Sequence, residues 1–471
     1  MLGASGALTL VTVAGLVAGL GRDWLLVAQW GAGARTDAFL IALFLPEAVR
    51  MMVGNGLLSS AGMAQWQQLS ADERPRRLAQ ITFGLLGIAG LTALLTVLAR
   101  APLMHGIGPG LDAEHLRVAS DAFSILAWCL PLFILQGWWS VPLHAEGRYI
   151  LPGLASLAYN LPAVACLAWM GPQATEQAVA WSFVAGSGVA ALLLLPANRA
   201  QGLRWAHLRW SGEAMRQLGR QVTPLLGSAL LGQGVTLLER VVASYLGEGV
   251  ITLLNLARKL ANLPLVALTA LCQVVLGLMA RGGHTERLGL LRQGLAATTV
   301  ITTPAALGLL LSAPAIVALL FPGVTGTERL APLLGWYAAA LVIAGWNALL
   351  ARYCHARGDT RLPFLCDLGG SGLHALAMPL LAWGFGLMGL AAATLVGVGV
   401  TCALLLQLNG LWRQVHLPRI VLSAALPLAL GGWLLHSLPA EPWLRLGLST
   451  LAGAACLALV GLGLRPWRAA T

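Results

Sequence analysis

Long apolar segments separated by short polar loops run along the whole sequence. Each segment is about 20 residues long, the length that an α-helix needs to cross roughly 30 Å of hydrocarbon. The pattern predicts an all-α integral membrane protein with about 14 transmembrane helices. The predicted helices cover residues 6–29, 37–64, 79–99, 120–142, 151–170, 178–197, 218–244, 249–279, 290–316, 331–352, 362–382, 386–408, 419–436 and 446–464.

Composition supports the membrane interpretation and argues against catalysis. Hydrophobic residues make up 58% of the 471-residue chain and charged residues only 10%, whereas soluble proteins average about 25% charged residues. The cysteines form no CxxC pair, and the sequence contains no nucleophile elbow, phosphate-cradling glycine loop or paired-carboxylate loop. We therefore expect a transport protein and not an enzyme, with no metal ion and no cofactor.

The formal net charge of +11 is a signal of topology. Basic residues concentrate in alternate loops, including 74–77, 199–220 and 352–361, and the intervening loops hold few of them. Cytoplasmic loops of membrane proteins carry an excess of Lys and Arg. We expect both termini in the cytoplasm and no nucleic-acid partner.

The longest predicted cytoplasmic connection divides the chain into two halves. Residues 1–198 form an N-terminal half of six helices, 199–221 a cytoplasmic linker, 222–410 a C-terminal half of six helices, and 411–471 two additional helices. Two repeats around a central cavity are a common transporter plan, with the substrate held near the middle of the bilayer. We expect this plan here.

A small set of charged residues lies inside the predicted helices. A charge at the centre of a membrane helix costs at least ~2.5–3.5 kcal/mol, so such groups face an interior or a water-filled path. Internal pairing stays open for Arg22 with Asp23 and for Glu239 with Arg240. The intramembrane cations are Arg22, Arg50, Arg240, Arg258 and Lys259, and the acids are Asp23, Glu47, Glu239 and Asp367.

Arg50 is the strongest candidate for binding an anion. Glu47 lies three residues earlier and shares its helix face, so it can steady the guanidinium group and leave donors free. Pro46 breaks one backbone hydrogen bond and permits a kink. Gly54 and Gly56 leave space for a ligand to approach. This pattern predicts an anion site on the second helix.

The eighth predicted helix carries a polar stripe. Asn255, Lys259 and Asn262 are four and three residues apart and project to one side, with Arg258 adjacent. One guanidinium group can bind two phosphate oxygens through two parallel hydrogen bonds, whereas a lysine acts as a point charge. The stripe predicts a site for a phosphate and sugar hydroxyls, with the alternative that Arg258 faces lipid headgroups.

Three further residues are candidates for ion coupling. Asp367 and His374 are seven residues apart in the eleventh predicted helix and so share a face. Intramembrane acids and histidines often relay protons or bind coupling cations, and Glu239 belongs to the same class. A hydrogen-bonded structural pair of Asp367 and His374 is an equally open interpretation.

Four segments resemble the MviN/MurJ family of lipid II flippases in the multidrug/oligosaccharidyl-lipid/polysaccharide exporter superfamily. The first combines Gly-Arg-Asp at 21–23, GAGARTDAF at 31–39 and the Leu-Pro at 45–46 that precedes Arg50. The others are HAEGRYILP at 144–152 followed by Asn160, ARKLANLP at 257–264, and RGDTRLP at 357–363. The resemblance spans nearly the whole chain.

The resemblance implies both a binding site and a departure from it. It places four residues on family positions associated with a cationic central cavity, namely Arg22, Asp37, Arg50 and Lys259. Four positions that carry charge in the family are neutral in this sequence, namely Leu16, Met51, Asn55 and Asn262. The thinner charge network suggests a substrate other than lipid II.

We therefore expect a flippase that moves an undecaprenyl-diphosphate-linked glycan across the bacterial inner membrane for exopolysaccharide biosynthesis. The alternatives are a lipid II flippase for peptidoglycan synthesis and, from another class, a membrane glycan polymerase or ligase. A multidrug cation exporter fits less well, because that function needs acids in the cavity. The expected partners are the lipid-linked glycan, membrane lipids and other polysaccharide-assembly proteins.

Overall fold

The computed structural model describes residues 2–54, 56–281, 283–415 and 417–466. The chain divides into two compact units, Met1–Gly249 and Val250–Thr471. We call them unit 1 and unit 2. The division predicted from the sequence, with a linker at 199–221, stays a prediction.

Unit 1 is built from helices joined by short turns, because its apolar runs leave few polar residues between them. Its described α-helices are α1 (Leu2–Trp30), α2 (Ala34–Gly54), α3 (Leu57–Gln68), α4 (Arg74–Leu98), α5 (Arg100–Ile107), α6 (Ala113–Leu126), α7 (Cys129–Ala145), α8 (Ile150–Met170), α9 (Glu176–Leu192), α10 (Leu195–Ala200) and α11 (Gly212–Ser244). Short 3-10 helices cover Gly171–Gln173 and Trp205–His207.

Unit 2 has fewer and longer helices, with a 3-10 helix at Thr327–Arg329. In it, α14 packs against α12, α13 and α15, and α13 also packs along α17. The described α-helices are α12 (Val250–Arg281), α13 (His284–Leu320), α14 (Leu330–Ala356), α15 (Arg361–Leu408), α16 (Leu417–Leu434) and α17 (Pro442–Leu464).

The structure confirms the prediction of an all-helical integral membrane fold. Within the described residues, 11 helices or helix pairs are long and apolar enough to cross a membrane. The predicted count of fourteen is not confirmed. One source of the difference is α15, a 48-residue element in which Gly386 has non-helical angles, φ 56° and ψ −134°. The two helices predicted at 362–382 and 386–408 lie on either side of that kink.

Two helices predicted as continuous are broken in the structure. The segment predicted at 37–64 forms α2 and α3, which meet at Gly56 with φ 89°. The segment predicted at 120–142 contains the end of α6 and the start of α7. The second break lies in an uninterrupted apolar run, and the first is marked only by the short Gly-Asn-Gly at 54–56, so segment length alone revealed neither.

Close packing of α8 on both α1 and α9 positions the charged residues of unit 1. The contact between α8 and α9 depends on Gly186, since a Cβ atom at that position would lie 2.4 Å from the Tyr159 carbonyl oxygen. Three buried residues lie near this contact, namely Tyr159 and Asn160 on α8 and Phe183 on α9. Their side chains meet Arg22 of α1.

Candidate functional site

Arg22 is the centre of a buried polar network in unit 1. Its side chain is 1% exposed. Its Nε and Nη2 atoms donate hydrogen bonds of 2.8 and 2.6 Å to Oδ1 of Asp23. Its Nη1 atom donates at 2.9 Å both to Oε1 of Glu47 on α2 and to Oδ1 of Asn160 on α8. One guanidinium group therefore ties α1, α2 and α8 together.

Aromatic rings surround the same guanidinium group. The Cζ atom of Arg22 lies 5.0 Å from the centroid of the Phe183 ring and 6.0 Å from that of Tyr159. The Tyr159 ring in turn packs 5.2 Å from Phe133 and 5.3 Å from Phe183. A buried cation is stable only when it is paired and hydrogen-bonded, and the ring faces add cation–π attraction. Arg22 thus has a structural role and presents almost no surface to a ligand.

Arg50 has a different environment. Its side chain is 27% exposed, and its Nη2 atom lies 3.7 Å from Oε1 of Glu47, beyond the normal range for a hydrogen bond. Its Cζ atom lies 4.9 Å from the Tyr159 ring centroid, and its buried Nε atom has no hydrogen-bond partner among the described residues. Arg50 is therefore an accessible cation, held by Glu47 and Tyr159, with donors that remain available for an anion.

Glu47 couples the two arginines. Its Oε1 atom accepts a hydrogen bond from Arg22 and also lies near Arg50. Because Arg22 takes the shorter contact, the carboxylate is fixed in place without being saturated by Arg50. The predicted spacing of Glu47 and Arg50 on one face of the helix is thus found in the structure, and the buried network explains how the pair is held.

Two of the neutral positions that depart from the family pattern are exposed in unit 1, and a third, Asn262, is exposed on α12 of unit 2. Leu16 is 42% exposed and Met51 is 48% exposed. Burial in a core thus does not account for the uncharged residues there. Asn55 lies outside the described residues.

Asp37 has a structural contact at the start of α2. Its side chain is 1% exposed, and its Oδ2 atom accepts a 2.7 Å hydrogen bond from the backbone N–H of Gly249. Gly249 has φ +78°, and a Cβ atom there would lie 2.4 Å from the carbonyl oxygen of Ala32. Asp37 therefore fastens the end of unit 1 to the turn before α2, a role that the family resemblance did not suggest.

Of the predicted pair on α11, Arg240 lies against α2. Glu239 is 5% exposed. The Nη1 atom of Arg240 donates a 3.0 Å hydrogen bond to the carbonyl oxygen of Leu40, and its Cζ atom lies 5.0 Å from the Phe44 ring centroid. Arg240 thus anchors α11 to α2.

The polar stripe of unit 2 lies on α12, as the spacing predicted. Asn255, Arg258 and Lys259 are half-buried, and Asn262 is exposed. Residues at these spacings share one side of a continuous helix. Their role as phosphate ligands stays a prediction.

Asp367 and His374 lie in the first part of α15. Asp367 is exposed and His374 is half-buried. The Nε2 atom of His374 lies 3.4 Å from Oγ1 of Thr394, beyond the kink of the same element. Among the described residues, no group of three or more His, Cys, Asp or Glu side chains is placed to hold a metal ion. Ion coupling at these residues stays a prediction.

Sequence reasoning missed the aromatic part of the site. Tyr159 and Phe183 carry no charge and stand in apolar runs, so nothing in their pattern marks them. In the sequence, Asn160 stands out only as part of a family motif. A polar amide inside an apolar run could have been assigned as a partner for one of the intramembrane charges, because a buried amide needs hydrogen-bond partners.

Comparison with known proteins decides the family. The family model described as lipid II flippase MurJ matches residues 26–435. The chain belongs to this family. Among its relatives, the probable lipid II flippase MurJ of Thermotoga maritima is 27% identical over 402 residues, covering 83% of this chain and 81% of the relative. That of Bdellovibrio bacteriovorus is 27% identical over 447 residues, covering 89% and 84%.

Solved structures support the fold assignment. A structure of the lipid II flippase MurJ in an inward closed conformation has a TM-score of 0.82 at 19% identity, covering 97% of this chain and 98% of that one. An inward-facing multidrug MATE transporter has a TM-score of 0.67 at 14% identity, covering 88% and 95%. At these identities the similarity concerns the fold alone.

These comparisons confirm several predictions and weaken one. Membership of the MurJ family, a multi-pass membrane protein and a flippase rather than an enzyme are confirmed. The exopolysaccharide substrate that we preferred from the sequence has no support among them. The neutral positions that suggested it lie within a chain that otherwise matches the lipid II family over most of its length.

Proposed function

We propose that this protein is a lipid II flippase, which moves the lipid-linked peptidoglycan precursor across the bacterial inner membrane. The observation that carries the proposal is the family match over residues 26–435. The curated relatives from Thermotoga maritima and Bdellovibrio bacteriovorus are both named probable lipid II flippases. The proposal replaces the exopolysaccharide precursor with lipid II and keeps the diphosphate-linked glycan as the chemical class.

In this proposal Arg50 binds the diphosphate in unit 1. Its partial exposure and the 3.7 Å separation of its Nη2 atom from Oε1 of Glu47 support that role. Guanidinium groups hold phosphate oxygens through charge-assisted hydrogen bonds. Arg22 acts at a distance by fixing Glu47, which in turn fixes Arg50. Asp37, whose carboxylate is committed to Gly249, acts on the shape of the site and not on the phosphate.

The polar stripe of unit 2 is proposed as a phosphate- and sugar-binding surface in its own right. Arg258 and Lys259 attract phosphate oxygens, and Asn255 and Asn262 hydrogen-bond sugar hydroxyls. Their shared helix face on α12 supports this. Asp367 and His374 on α15, and Glu239 on α11, are the candidates for ion coupling, since each is titratable and lies in a candidate membrane span.

The proposed cycle is alternating access with both termini in the cytoplasm. The diphosphate enters from the cytoplasmic side while the prenyl tail stays in lipid. A ligand shifts a conformational equilibrium only when it binds one state better than the other. The diphosphate does so here by neutralising cations whose mutual repulsion opposes closure.

Complementation of a depleted strain tests the substrate. The gene is expressed in bacteria whose own lipid II flippase is depleted, and lipid II on each side of the membrane is measured. We expect growth to be restored and cytoplasmic lipid II to fall. The variant Arg209→Ala, which removes an exposed cation from a loop, serves as the control and should complement equally well. Lysis with cytoplasmic lipid II undiminished, in cells that contain the folded protein, would contradict the proposal.

Deletion in the native organism provides the second arm. We expect loss of viability with lipid II accumulating inside the cell. Viable cells that lack only a surface polysaccharide would contradict the proposal and favour an exopolysaccharide precursor as the substrate.

A further inference from the structure

Unit 1 contains a polar cavity that the flippase mechanism does not use. It has a volume of about 500 Å³ and lies where the first turn of α4 meets the 3-10 helix Trp205–His207. Arg76, Arg77, Arg204 and His207 line it. Three guanidinium groups and an imidazole around one concave surface favour an anionic ligand.

One polar atom of the cavity lining has hydrogen-bonding capacity that the described residues do not fill. The Nδ1 atom of His207 is buried and has no hydrogen-bond partner among the described residues. Buried polar atoms in proteins are nearly always hydrogen-bonded. The His207 atom therefore indicates a place where a polar group from outside the chain completes the structure.

The cavity wall also carries hydrogen-bond acceptors. Asp72, Glu73 and Gln80 contribute to the lining. Glu73 accepts hydrogen bonds from the Ser70 backbone N–H and hydroxyl, at 3.1 and 2.9 Å, and these bonds lower the pKa of the Glu73 carboxyl. Carboxylates repel a bare phosphate but accept hydrogen bonds from hydroxyl groups. The wall therefore suits a ligand that combines a phosphate with neighbouring hydroxyls.

The position of the cavity relates it to the membrane surface. The candidate membrane span Arg74–Leu98 begins at the cavity, and the span Glu176–Ala200 ends two residues before Gly202, which also lines it. Arginine side chains at the ends of membrane helices lie at the depth of lipid headgroups. A phosphate at that depth is available from the membrane itself.

We propose that this cavity binds a phosphoglycerol group, with Arg76, Arg77 and Arg204 holding the phosphate and Asp72 and Glu73 accepting from the hydroxyls. Both the headgroup of an anionic glycerophospholipid and a soluble glycerol phosphate carry this group. The location at the ends of two spans favours the lipid. The proposal does not depend on the identity of the transported glycan.

Ligand-dependent stabilisation of the purified full-length protein tests this site. The protein in neutral detergent is titrated with phosphatidylglycerol, and separately with sn-glycerol 3-phosphate, while the thermal unfolding midpoint is followed. We expect stabilisation of the wild type, and an apparent affinity weakened by about tenfold or more in Arg77→Gln/Arg204→Gln, since two charge-assisted contacts are lost.

The matched control is Arg209→Gln/Arg216→Gln. Both arginines are exposed, lie on the neighbouring stretch of chain and are absent from the cavity lining, so the control loses the same charge without touching the cavity. It should respond to the ligand as the wild type does. Equal weakening in both double variants would show a general attraction between a basic surface and an anion, and would overturn the proposed site.

The two ligands separate the possible sources of the phosphoglycerol group. Stabilisation by phosphatidylglycerol alone assigns the site to lipid, and stabilisation by both ligands assigns it to the phosphoglycerol group in either form. No stabilisation by either ligand overturns the proposal. If the double variant does not elute as a folded monodisperse protein, Arg204→Gln alone decides, because the Arg204 side chain is exposed.

Discussion

At the scale of single residues, the two arginines that looked alike in the sequence have separate roles. Both stand in apolar runs near an acid, Arg22 beside Asp23 and Arg50 three residues after Glu47. Only the structure distinguishes them, because Asn160 and the surrounding aromatic rings enclose one and leave the other accessible. These neighbours are distant in sequence, and no local sequence pattern predicts them.

Arg50→Ala should abolish flipping while the protein still folds. The substitution removes the accessible cation, and charge-assisted hydrogen bonds of this kind contribute about 1.5–3 kcal/mol. Binding of the diphosphate should weaken by roughly 10- to 100-fold. Complementation of a flippase-depleted strain measures the loss, and immunoblotting of membranes checks that the protein is inserted. Normal growth of cells that depend on Arg50→Ala would contradict the assignment of Arg50 to diphosphate binding.

Arg22→Ala should instead destabilise the protein. It leaves Asp23 and Glu47 in a buried network without the cation that compensates them, and breaking a buried ion pair typically costs 3–5 kcal/mol. The thermal unfolding midpoint of the purified protein should fall clearly below that of both the wild type and Arg50→Ala. If the two variants have the same midpoint, the assignment of Arg22 to structure and Arg50 to binding is wrong.

At the scale of elements, hydrophobic length predicts where helices lie but not where they break. The predicted helix at 249–279 corresponds closely to α12, Val250–Arg281, because loops with turn residues bound it on both sides. The predicted helix at 37–64 is two helices. Its break at Gly56 depends on a left-handed backbone conformation, and a glycine in an apolar run permits that conformation without requiring it.

The packing of α9 on α8 gives a prediction with a matched control on one helix. A Cβ atom at Gly186 would lie 2.4 Å from the Tyr159 carbonyl oxygen, whereas one at Gly188 would have no neighbour within 4 Å. Gly186→Ala should push α9 away from α8 and displace Tyr159 from Arg50, lowering both the unfolding midpoint and flipping activity. Gly188→Ala should leave both unchanged or slightly raise stability, because alanine favours helix.

Thermal unfolding and complementation of the two glycine variants, side by side, check this expectation. Equal behaviour of Gly186→Ala and Gly188→Ala would mean that the contact between α8 and α9 does not position the site.

At the scale of the whole molecule, the sequence predicted the fold class and family because both depend on features that are spread along the chain. Apolar segments long enough to cross a membrane recur throughout the chain, and the family motifs are distributed from residue 21 to residue 363. The preference for an exopolysaccharide substrate depends on a few neutral positions, and the comparisons do not support it. Leu16 and Met51 are single side chains on an exposed surface, and such positions change without altering the fold or the match to the family.

The sidedness of the molecule is open to a direct test, because the two sets of loops differ so strongly in basic residues. Arg209 lies in the predicted cytoplasmic loop 199–220, and Arg117 lies between the predicted helices 79–99 and 120–142, in a loop predicted on the opposite side. Both side chains are exposed. We compare Arg117→Cys with Arg209→Cys, using a maleimide that does not cross membranes. Arg117→Cys should react in intact spheroplasts, and Arg209→Cys only after permeabilisation.

The wild type gives the background labelling, which should be low because six of its seven cysteines are buried and Cys166 is half-buried. The reverse pattern would place the basic loops outside and contradict the proposed cytoplasmic entry of the substrate, since the positive-inside rule alone orients the chain in this proposal.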